Sequence, residues 1–150
     1  MGEKDIEYKR MDQEPIDDEA LEDSLELLHE YLSQFISKEA LEEDLRYCFD
    51  GGRVIGAYHD QELIGAVAGV QTSFFDKFHI AHIAVEERFQ GKGIGRKLTE
   101  KVIPPETGAS VHLNTDNPEI EKFYQNLGFQ VTHKRFKKPA KEGSDFKPSD

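Results

Sequence analysis

Residues 79–98 read HIAHIAVEERFQGKGIGRKL, and this stretch decides the fold. Its apolar start, His79–Val85, gives the strongest β-strand signal of the chain, and a helix is predicted from about Ile94 to Val102. A charged loop with three glycines joins them, where glycines let a backbone approach a ligand closely and a helix N-terminus offers unpaired N–H groups. Lys92, Arg96 and Lys97 add positive charge in and just after the glycine-rich part of the loop. It therefore predicts a cradle for a phosphate or pyrophosphate.

The spacing of the three glycines excludes two common phosphate-binding motifs. The dinucleotide fingerprint Gly-x-Gly-x-x-Gly requires a third glycine where Arg96 stands. A P-loop requires four residues between its glycines and then Gly-Lys-Ser/Thr, which is absent. A flexible turn between strand and helix is the structural alternative, and the glycines alone leave it open.

A second motif lies downstream, where residues 117–129 read NPEIEKFYQNLGF. Asn117 is a capping residue, and a proline suits the first helical position that follows it. The helix is expected to run to Leu127 and to end at Gly128, a residue typical of the position after a helix. With strands on both sides, this predicts a strand–helix–strand unit.

With both motifs in view, the sequence resembles the GCN5-related N-acetyltransferase (GNAT) family. The family's acetyl-CoA signature, Gln/Arg-x-x-Gly-x-Gly/Ala, matches Gln90-Gly91-Lys92-Gly93-Ile94-Gly95 at every specified place, and Ile83-Ala84-Val85 looks like the family's usual Leu-Ala-Val. Asn117 and the run from Phe123 to Phe129 match the family's later Asn and Phe-Tyr-x-x-x-Gly-Phe. The close resemblance covers residues 79–130, and the element order extends it to about 6–136.

Outside the two motifs, hydrophobic spacing predicts the remaining elements. A short strand over Ile6–Arg10 precedes two helices, the first beginning at Asp17 and the second capped by Ser37, with Cys48 as a small core residue. Strands follow over Arg53–His59 and Leu63–Thr72. A connection over Phe74–Phe78 leads to the strand at 79–85, and the last two strands are placed at Ser110–Asn114 and Phe129–Phe136.

The resulting order is β-α-α-β-β-β-α-β-α-β, an α/β fold of the α+β type. The resemblance implies a GNAT-like mixed, mostly antiparallel central sheet of about six strands flanked by about four helices. It also implies that the sheet splays open between strands 79–85 and 110–114. We expect a single N-acetyltransferase domain over 1–136 and a loose polar tail over 137–150.

The resemblance also implies where acetyl-CoA binds. Pantetheine would lie in the gap of the sheet and bond like an added strand to the backbone of Ile83, Ala84 and Val85. Asn117 and Tyr124 would flank the thioester. The pyrophosphate would sit on the amides of the loop and the helix start: Gln90, Gly91, Lys92, Gly93, Ile94, Gly95 and Arg96.

Direct transfer requires a neutral amine, stabilisation of the oxyanion and a proton for the departing thiolate. The resemblance assigns the proton to the Tyr124 phenol, whose reference pKa of about 10 keeps it protonated at pH 7; a core aromatic is the alternative. His79 is the first candidate base, because the arylalkylamine branch of the family also has histidine there. The bases left open are His82, Glu86, Glu87 and water.

His79 and His82 also raise the question of a metal. They are three residues apart, so a regular strand directs them to opposite faces unless a bulge intervenes. That spacing disfavours a shared metal site, and no metal is expected. The other histidines are interpreted as structural.

Charge is unevenly distributed along the chain, whose formal net charge is −11. Residues 1–50 carry 17 acidic and 5 basic side chains, whereas residues 51–150 carry 13 and 14. The balance argues against a nucleic-acid partner, which would need phosphate neutralisation. The acidic first third favours either a cationic acceptor or only a well-solvated surface.

Composition indicates which covalent links, metal sites and cellular location to expect. The single cysteine excludes an internal disulfide and a multi-cysteine metal site. No apolar run approaches the ~20 residues that span a bilayer, and the N-terminus lacks a signal-peptide core, so a cytoplasmic protein with no membrane partner is expected. Many members of the family have two strands after the last helix, but no apolar alternation follows residue 136. The second of these strands would be missing, irregular or supplied by a partner chain. An open sheet edge of this kind would allow a homodimer.

The sequence thus predicts an acyl-CoA-dependent N-acetyltransferase. It would transfer acetyl from the cosubstrate acetyl-CoA to a primary amine, of a small molecule, by direct attack in a ternary complex. The alternative from another class is a non-catalytic acyl-CoA-binding sensor or partner module. A nucleotide-binding protein that uses the same cradle is a second alternative.

Overall fold

The fold is described from a computed structural model, which covers residues 5–13, 15–72, 77–105, 111–113 and 118–126. The chain divides into two units, Met1–Thr115 and Asp116–Asp150, and each is described by itself. The first unit holds the sheet and three α-helices. In the second, the described residues form one helix. The single domain expected over 1–136 stays a prediction.

Five strands form one sheet within the described residues. They lie in the order β1-β2-β3-β4-β5; the first three pairings are antiparallel, and β4 and β5 are parallel. The mixed, mostly antiparallel sheet is therefore confirmed, with five described strands where about six were expected. The predicted strand 129–136 lies outside the described residues. The strands are β1 Ile6–Arg10, β2 Arg53–His59, β3 Glu62–Thr72, β4 Lys77–Val85 and β5 Val111–Leu113.

Four α-helices occur in the described ranges, as expected. Capping side chains begin the first two: Asp17 accepts a hydrogen bond from the Glu19 amide (2.9 Å), and Ser37 accepts one from the Ala40 amide (3.2 Å). The third helix has the predicted bounds and ends just before a proline pair. The helices are α1 Asp18–Leu32, α2 Lys38–Gly51, α3 Ile94–Val102 and α4 Pro118–Asn126.

The sheet of the first unit has an apolar core on each face. One face, here called the α1–α2 face, packs Val54, Ala68 and Ala84 against those two helices. The other, here called the α3 face, packs Phe78 and Ile80 together with the apolar side of α3. Cys48 is 2% exposed in the first core, as predicted. Burial raises the pKa of its thiol to about 12, with the carboxylates of nearby aspartates adding to the rise, so the thiol stays protonated.

The predicted boundary before β4 was wrong. The connection expected over Phe74–Phe78 ends earlier, because β4 already begins at Lys77. Phe78 lies opposite Gln71 of β3 and Val111 of β5, and it is fully buried in the core of the α3 face. An aromatic next to charged residues looked like a loop in the sequence, whereas tertiary burial makes it part of the strand.

Within the described residues, no helix combines the length and the apolar character that crossing a membrane would require.

Candidate functional site

The free edge of β4 is the first feature of the site. In the described residues β5 pairs only with Phe78–Ile80, so the end of β4 has no strand neighbour on that side. The Glu86 amide donates to the Ile64 carbonyl of β3 (2.8 Å). Because backbone groups alternate along a strand, Ala84 also points its groups towards β3, and Ile83 and Val85 point theirs to the free edge. A ligand could pair with the backbone of those two residues.

The position of Ala84 qualifies one sequence-based assignment. Its backbone was expected to bind pantetheine together with Ile83 and Val85, but its hydrogen-bonding groups face β3. Its side chain is buried in the core of the α1–α2 face. Ala84 therefore forms part of the strand, whereas Ile83 directs its backbone groups, and Val85 its amide, to the free edge. A role of Ala84 in binding pantetheine stays a prediction.

Gln90, the first residue of the glycine signature, fastens the loop to the end of β4. Its side-chain Nε2 donates to the Val85 carbonyl (2.8 Å), and its own amide donates to the Glu87 carbonyl (3.1 Å). Gln90 was expected among the residues that bind the pyrophosphate through their amides. Its amide and side chain are instead used within the protein, so it positions the loop.

The glycines place the loop in the left-handed region of backbone space. Gly91 has φ of +80° and Gly93 has φ of +84°, values that residues with a Cβ rarely adopt. A Cβ at Gly91 would meet nothing within 4 Å, so crowding does not explain the glycine at this position. Its left-handed backbone conformation does. The loop can therefore turn sharply into α3.

The start of α3 is built as an anion site. Gly93 is the N-cap and provides no side-chain cap, and the first helical hydrogen bond runs from the Lys97 amide to the Gly93 carbonyl (3.1 Å). The amides of the first turn, including those of Ile94 and Gly95, have no acceptor within the helix. No acidic residue occupies this turn. Exposed cations surround it: Lys92, Arg96 and Lys97.

Apolar anchors hold this segment against the core. Ile94 is 2% exposed and Leu98 is fully buried in the core of the α3 face. Before the loop, a short 3-10 turn over Glu87–Phe89 buries Phe89, whose ring centroid lies 5.1 Å from that of the buried His59. The amides of the cradle are thus presented by a backbone that is fixed on both sides.

On the other side of the 3-10 turn, α1 reaches the end of β4. The Tyr31 hydroxyl accepts a hydrogen bond from the Glu87 amide (2.8 Å). A shallow depression lies here, lined by Glu30, Tyr31, Glu86, Glu87 and Arg88. Arg88 is paired with Glu86 and, at 3.5 Å, with Glu62. Three carboxylates therefore surround the depression, and the one cation that lines it is already paired.

A bulge in β4 changes where its histidines point. His82 lies opposite Ala68 of β3, and Ile80 lies opposite Gly69, so Ala81 is an extra residue on β4. Phe78 and Ile80 point to the α3 face, and Ala84 points to the α1–α2 face. By alternation on either side of the bulge, His79 and His82 both lie on the α1–α2 face. The opposite faces expected for a regular strand are therefore corrected.

His82 has a partner that the sequence did not reveal. Its Nε2 lies 2.8 Å from Oδ2 of Asp44 on α2, and its side chain is only 14% exposed, whereas that of Asp44 is half-exposed. His79 lies opposite Val70 of β3 and His112 of β5, where the sheet is paired on both sides. The described residues contain no group of three or more His, Cys, Asp or Glu that could hold a metal ion.

Tyr124 lies on α4 in the second unit. Its side chain is buried, and this desolvation raises the pKa of its phenol above the ordinary value. The phenol therefore stays protonated throughout the neutral range. Asn117, the other residue expected near the thioester, lies outside the described residues.

Three functional contacts escaped the sequence analysis: Tyr31 with Glu87, Asp44 with His82, and Gln90 with the Val85 carbonyl. The first two pairs are 56 and 38 residues apart in the chain, and no local pattern links their members. The third could have been suspected, since Gln90 follows the strand within reach of its end. The two long-range contacts appear only when the helices pack on the sheet.

The solved structures with a similar fold include acetyltransferases that are named for different acceptors. The aminoglycoside N-acetyltransferase AAC(6')-Iy in complex with CoA has a TM-score of 0.70 and 19% identity over 89% of this chain and 93% of its own. The same enzyme with the bisubstrate analogue CoA-S-monomethyl-acetylneamine has a TM-score of 0.70 and 17% identity over 91% and 98%. A ribosomal-protein-alanine N-acetyltransferase from Brucella melitensis biovar Abortus 2308 has a TM-score of 0.64 and 20% identity over 90% and 97%.

The family comparison covers most of the chain. The acetyltransferase (GNAT) domain matches residues 11–146. No protein with a curated description matches significantly. The chain belongs to the GNAT acetyltransferase family, as its two motifs indicated.

Proposed function

We propose that this member of the GNAT family transfers an acetyl group from acetyl-CoA to a primary amine of a small molecule, by direct attack in a ternary complex. The observation that carries the proposal is one juxtaposition. The backbone groups of Ile83 and the amide of Val85 face the free edge at the end of β4, and the anion cradle at the start of α3 follows them directly in the chain. This arrangement matches a ligand with an amide-bearing arm and a pyrophosphate.

The donor is held mainly by backbone. The pantetheine arm bonds to Ile83 and Val85 as an added strand would, and the pyrophosphate accepts hydrogen bonds from the amides between Gly91 and Arg96. Lys92, Arg96 and Lys97 offset its charge. CoA bound to AAC(6')-Iy, a protein of the same fold, supports this choice of donor over a plain nucleotide.

In the reaction, the neutral amine attacks the thioester carbonyl and the thiolate of CoA leaves. Tyr124 is the acid that returns a proton to the sulfur, since burial keeps its phenol protonated. The amine loses its proton to a base on β4, for which the family resemblance favours His79. A bisubstrate analogue bound to AAC(6')-Iy, in which CoA is joined to the acceptor, supports direct attack over a covalent enzyme intermediate.

The acceptor is a cationic small molecule in this proposal. The depression beside Tyr31 is lined by Glu30, Glu86 and Glu87, which would attract an ammonium group before it is deprotonated. The solved structures of this fold include enzymes named for an aminoglycoside and for a ribosomal protein. A screen should therefore include aminoglycosides, polyamines and peptide amines.

The first experiment is a calorimetric titration of the purified protein with acetyl-CoA, with ATP and NADH as controls. Selective binding of acetyl-CoA is expected, because ATP and NADH lack a pantetheine arm for the β4 edge. Equal affinity for all three would support a nucleotide-binding protein. Absence of acetyl-CoA binding by the folded protein would contradict the proposal.

The second experiment measures release of free CoA thiol during incubation with acetyl-CoA and each amine of the screen. Amine-dependent release, with the acetylated amine identified by mass spectrometry, is the expected result. Tight acetyl-CoA binding without turnover of any amine would instead favour the non-catalytic sensor.

A further inference from the structure

We propose that His82 is the general base of the transfer reaction and that Asp44 is its positioning residue. This inference rests on the proposed function and assigns the proton transfer within the same site. It follows from the bulge at Ala81, the contact between β4 and α2, and the end of the β5 pairing.

The contact with Asp44 determines which ring nitrogen of His82 is available. The Nε2 atom lies 2.8 Å from a carboxylate oxygen, and a carboxylate only accepts hydrogen bonds. The ring proton of neutral His82 is therefore placed on Nε2, and Nδ1 keeps its lone pair. In the described residues, Asp44 is the hydrogen-bond partner of this ring. A neutral imidazole with a fixed tautomer is the form that a general base requires.

The place of His82 along β4 favours it over His79. In the part of the chain that the structure describes, the β5 pairing ends at Ile80. His82 lies beyond that pairing, directly before Ile83, whose backbone groups face the free edge. His79 lies within the stretch that is paired with β3 and β5. A thioester bound at the free edge would therefore lie beside residues that are closer along β4 to His82 than to His79.

The two faces of the sheet also separate the two substrates. α3, whose N-terminus forms the cradle, packs on the α3 face, whereas His82 points to the α1–α2 face. A donor anchored at the cradle and threaded along the free edge leaves its carbonyl open to attack from the α1–α2 face. The base stands on the side from which the amine comes.

The proton and electron balance is simple. An amine that arrives as ammonium gives one proton to solvent. Its nitrogen then forms a bond to the acetyl carbon as the carbon–sulfur bond breaks and its electron pair leaves on sulfur. Of the two protons on the attacking nitrogen, one goes to Nδ1 of His82 and the other stays as the amide N–H. The sulfur takes a proton from the acid, so an amide and CoA thiol result. His82 returns its proton to solvent, which reaches the half-exposed Asp44 beside it, and the acid regains its proton from solvent. The net release is one proton for each ammonium group that is acetylated.

The kinetic test compares matched variants with the amine found in the turnover screen. His82→Gln keeps a donor for Asp44 but has no group that takes up a proton, so kcat should fall about 100- to 10,000-fold while acetyl-CoA affinity is kept. Asp44→Asn should lower kcat by a smaller factor, about tenfold, because the base stays but loses its fixed tautomer. Glu42→Gln removes a carboxylate from the same helix, where it pairs with Arg46, and should leave kcat unchanged.

A spectroscopic test distinguishes two roles of Asp44: fixing the tautomer of the His82 ring, or only attaching α2 to β4. Long-range proton–nitrogen NMR of the histidine-labelled protein should show His82 protonated on Nε2 in the wild type. In Asp44→Ala the two tautomers should mix, while the unfolding temperature reports any loss of attachment. A structural pair would lower the unfolding temperature of Asp44→Asn without changing its kcat.

The outcomes distinguish the inference from the proposed function. If the wild type acetylates an amine and His82→Gln retains its kcat, His82 is not the base, and the acetyltransferase proposal stands. Loss of activity in His79→Gln alone would move the base to that residue. If the wild type turns over no amine, the proposed function fails and the inference fails with it. A wild-type tautomer protonated on Nδ1 would overturn the role of Asp44 on its own.

Discussion

The two substrates would meet this protein on surfaces of different construction. The donor side consists of backbone groups from one continuous segment, from Ile83 to Arg96, with Gln90 fastening the loop to the strand. The acceptor side would consist of side chains from three separate elements, in the roles proposed for them: Tyr31 of α1, Asp44 of α2 and His82 of β4. A backbone site depends on local conformation, whereas a side-chain site depends on how the helices pack. The donor can therefore stay the same while the acceptor changes.

This contrast predicts that side chains control the rate and the loop backbone controls donor affinity. The largest effect outside the β4 base is expected at Tyr124. Tyr124→Phe should lower kcat about 100-fold and keep the dissociation constant of acetyl-CoA within about twofold, because only the proton for the sulfur is lost. Steady-state kinetics and calorimetry together measure both quantities. Tyr47→Phe, at a tyrosine that is 71% exposed, is the control. Equal kcat in both variants would remove Tyr124 as the acid.

The next largest effect concerns the backbone of the cradle. Gly93→Val should weaken acetyl-CoA binding about 5- to 30-fold, because a residue with a Cβ at φ of +84° costs about 1–2 kcal/mol unless the loop changes shape. Calorimetry measures the affinity, and thermal unfolding checks that the fold persists. Gly51→Val, at a glycine with open space around it, is the matched control. Unchanged affinity in Gly93→Val would show that the cradle has been placed wrongly.

A smaller effect is expected when the loop is released from β4. Gln90→Leu removes the hydrogen bond to the Val85 carbonyl, and one such bond contributes about 1 kcal/mol, so acetyl-CoA affinity should fall about fivefold. The exposed Gln34→Leu is the control. An unchanged dissociation constant would mean that the loop keeps its shape without this contact.

The smallest effect is expected at Tyr31, where the two surfaces adjoin. Tyr31→Phe removes the acceptor of the Glu87 amide and should raise the KM of the amine about threefold while acetyl-CoA affinity is kept. Tyr47→Phe again serves as the control. A change in acetyl-CoA affinity instead would show that Tyr31 also contributes to donor binding, which would contradict the separation of the donor and acceptor surfaces.

The same contrast explains what the sequence could predict. The bounds of α3 and its glycine start were correct because helix termini and left-handed turns are encoded by neighbouring residues. The order of the elements along the chain was correct over the described residues because periodicity and turn residues are local as well. Family resemblance supplied the ligand, which the glycine spacing alone left open.

What the sequence could not predict depends on packing. The bulge at Ala81 leaves no mark in an apolar strand, yet it brings His79 and His82 to one face. Asp44 looks like any acidic residue of a solvated helix until α2 packs beside β4. Phe78 was misplaced for a related reason, since it is buried in a core with residues distant in the chain, such as Ile55 and Leu98. Residue types indicate chemistry, whereas the fold determines which of them meet.

The hydrogen bond from Gln90 to Val85 also bears on aggregation. A free strand edge can pair with a strand of another chain. If a ligand binds to the backbone of β4, part of that strand has to remain a free edge. Gln90 occupies the last carbonyl of that edge, and the bulge interrupts its beginning, so only the groups between them stay available. A foreign strand, which typically pairs over about five or six residues, would find too short a template. Within the described residues, the edge is thus long enough for a single extended arm and too short for a full partner strand.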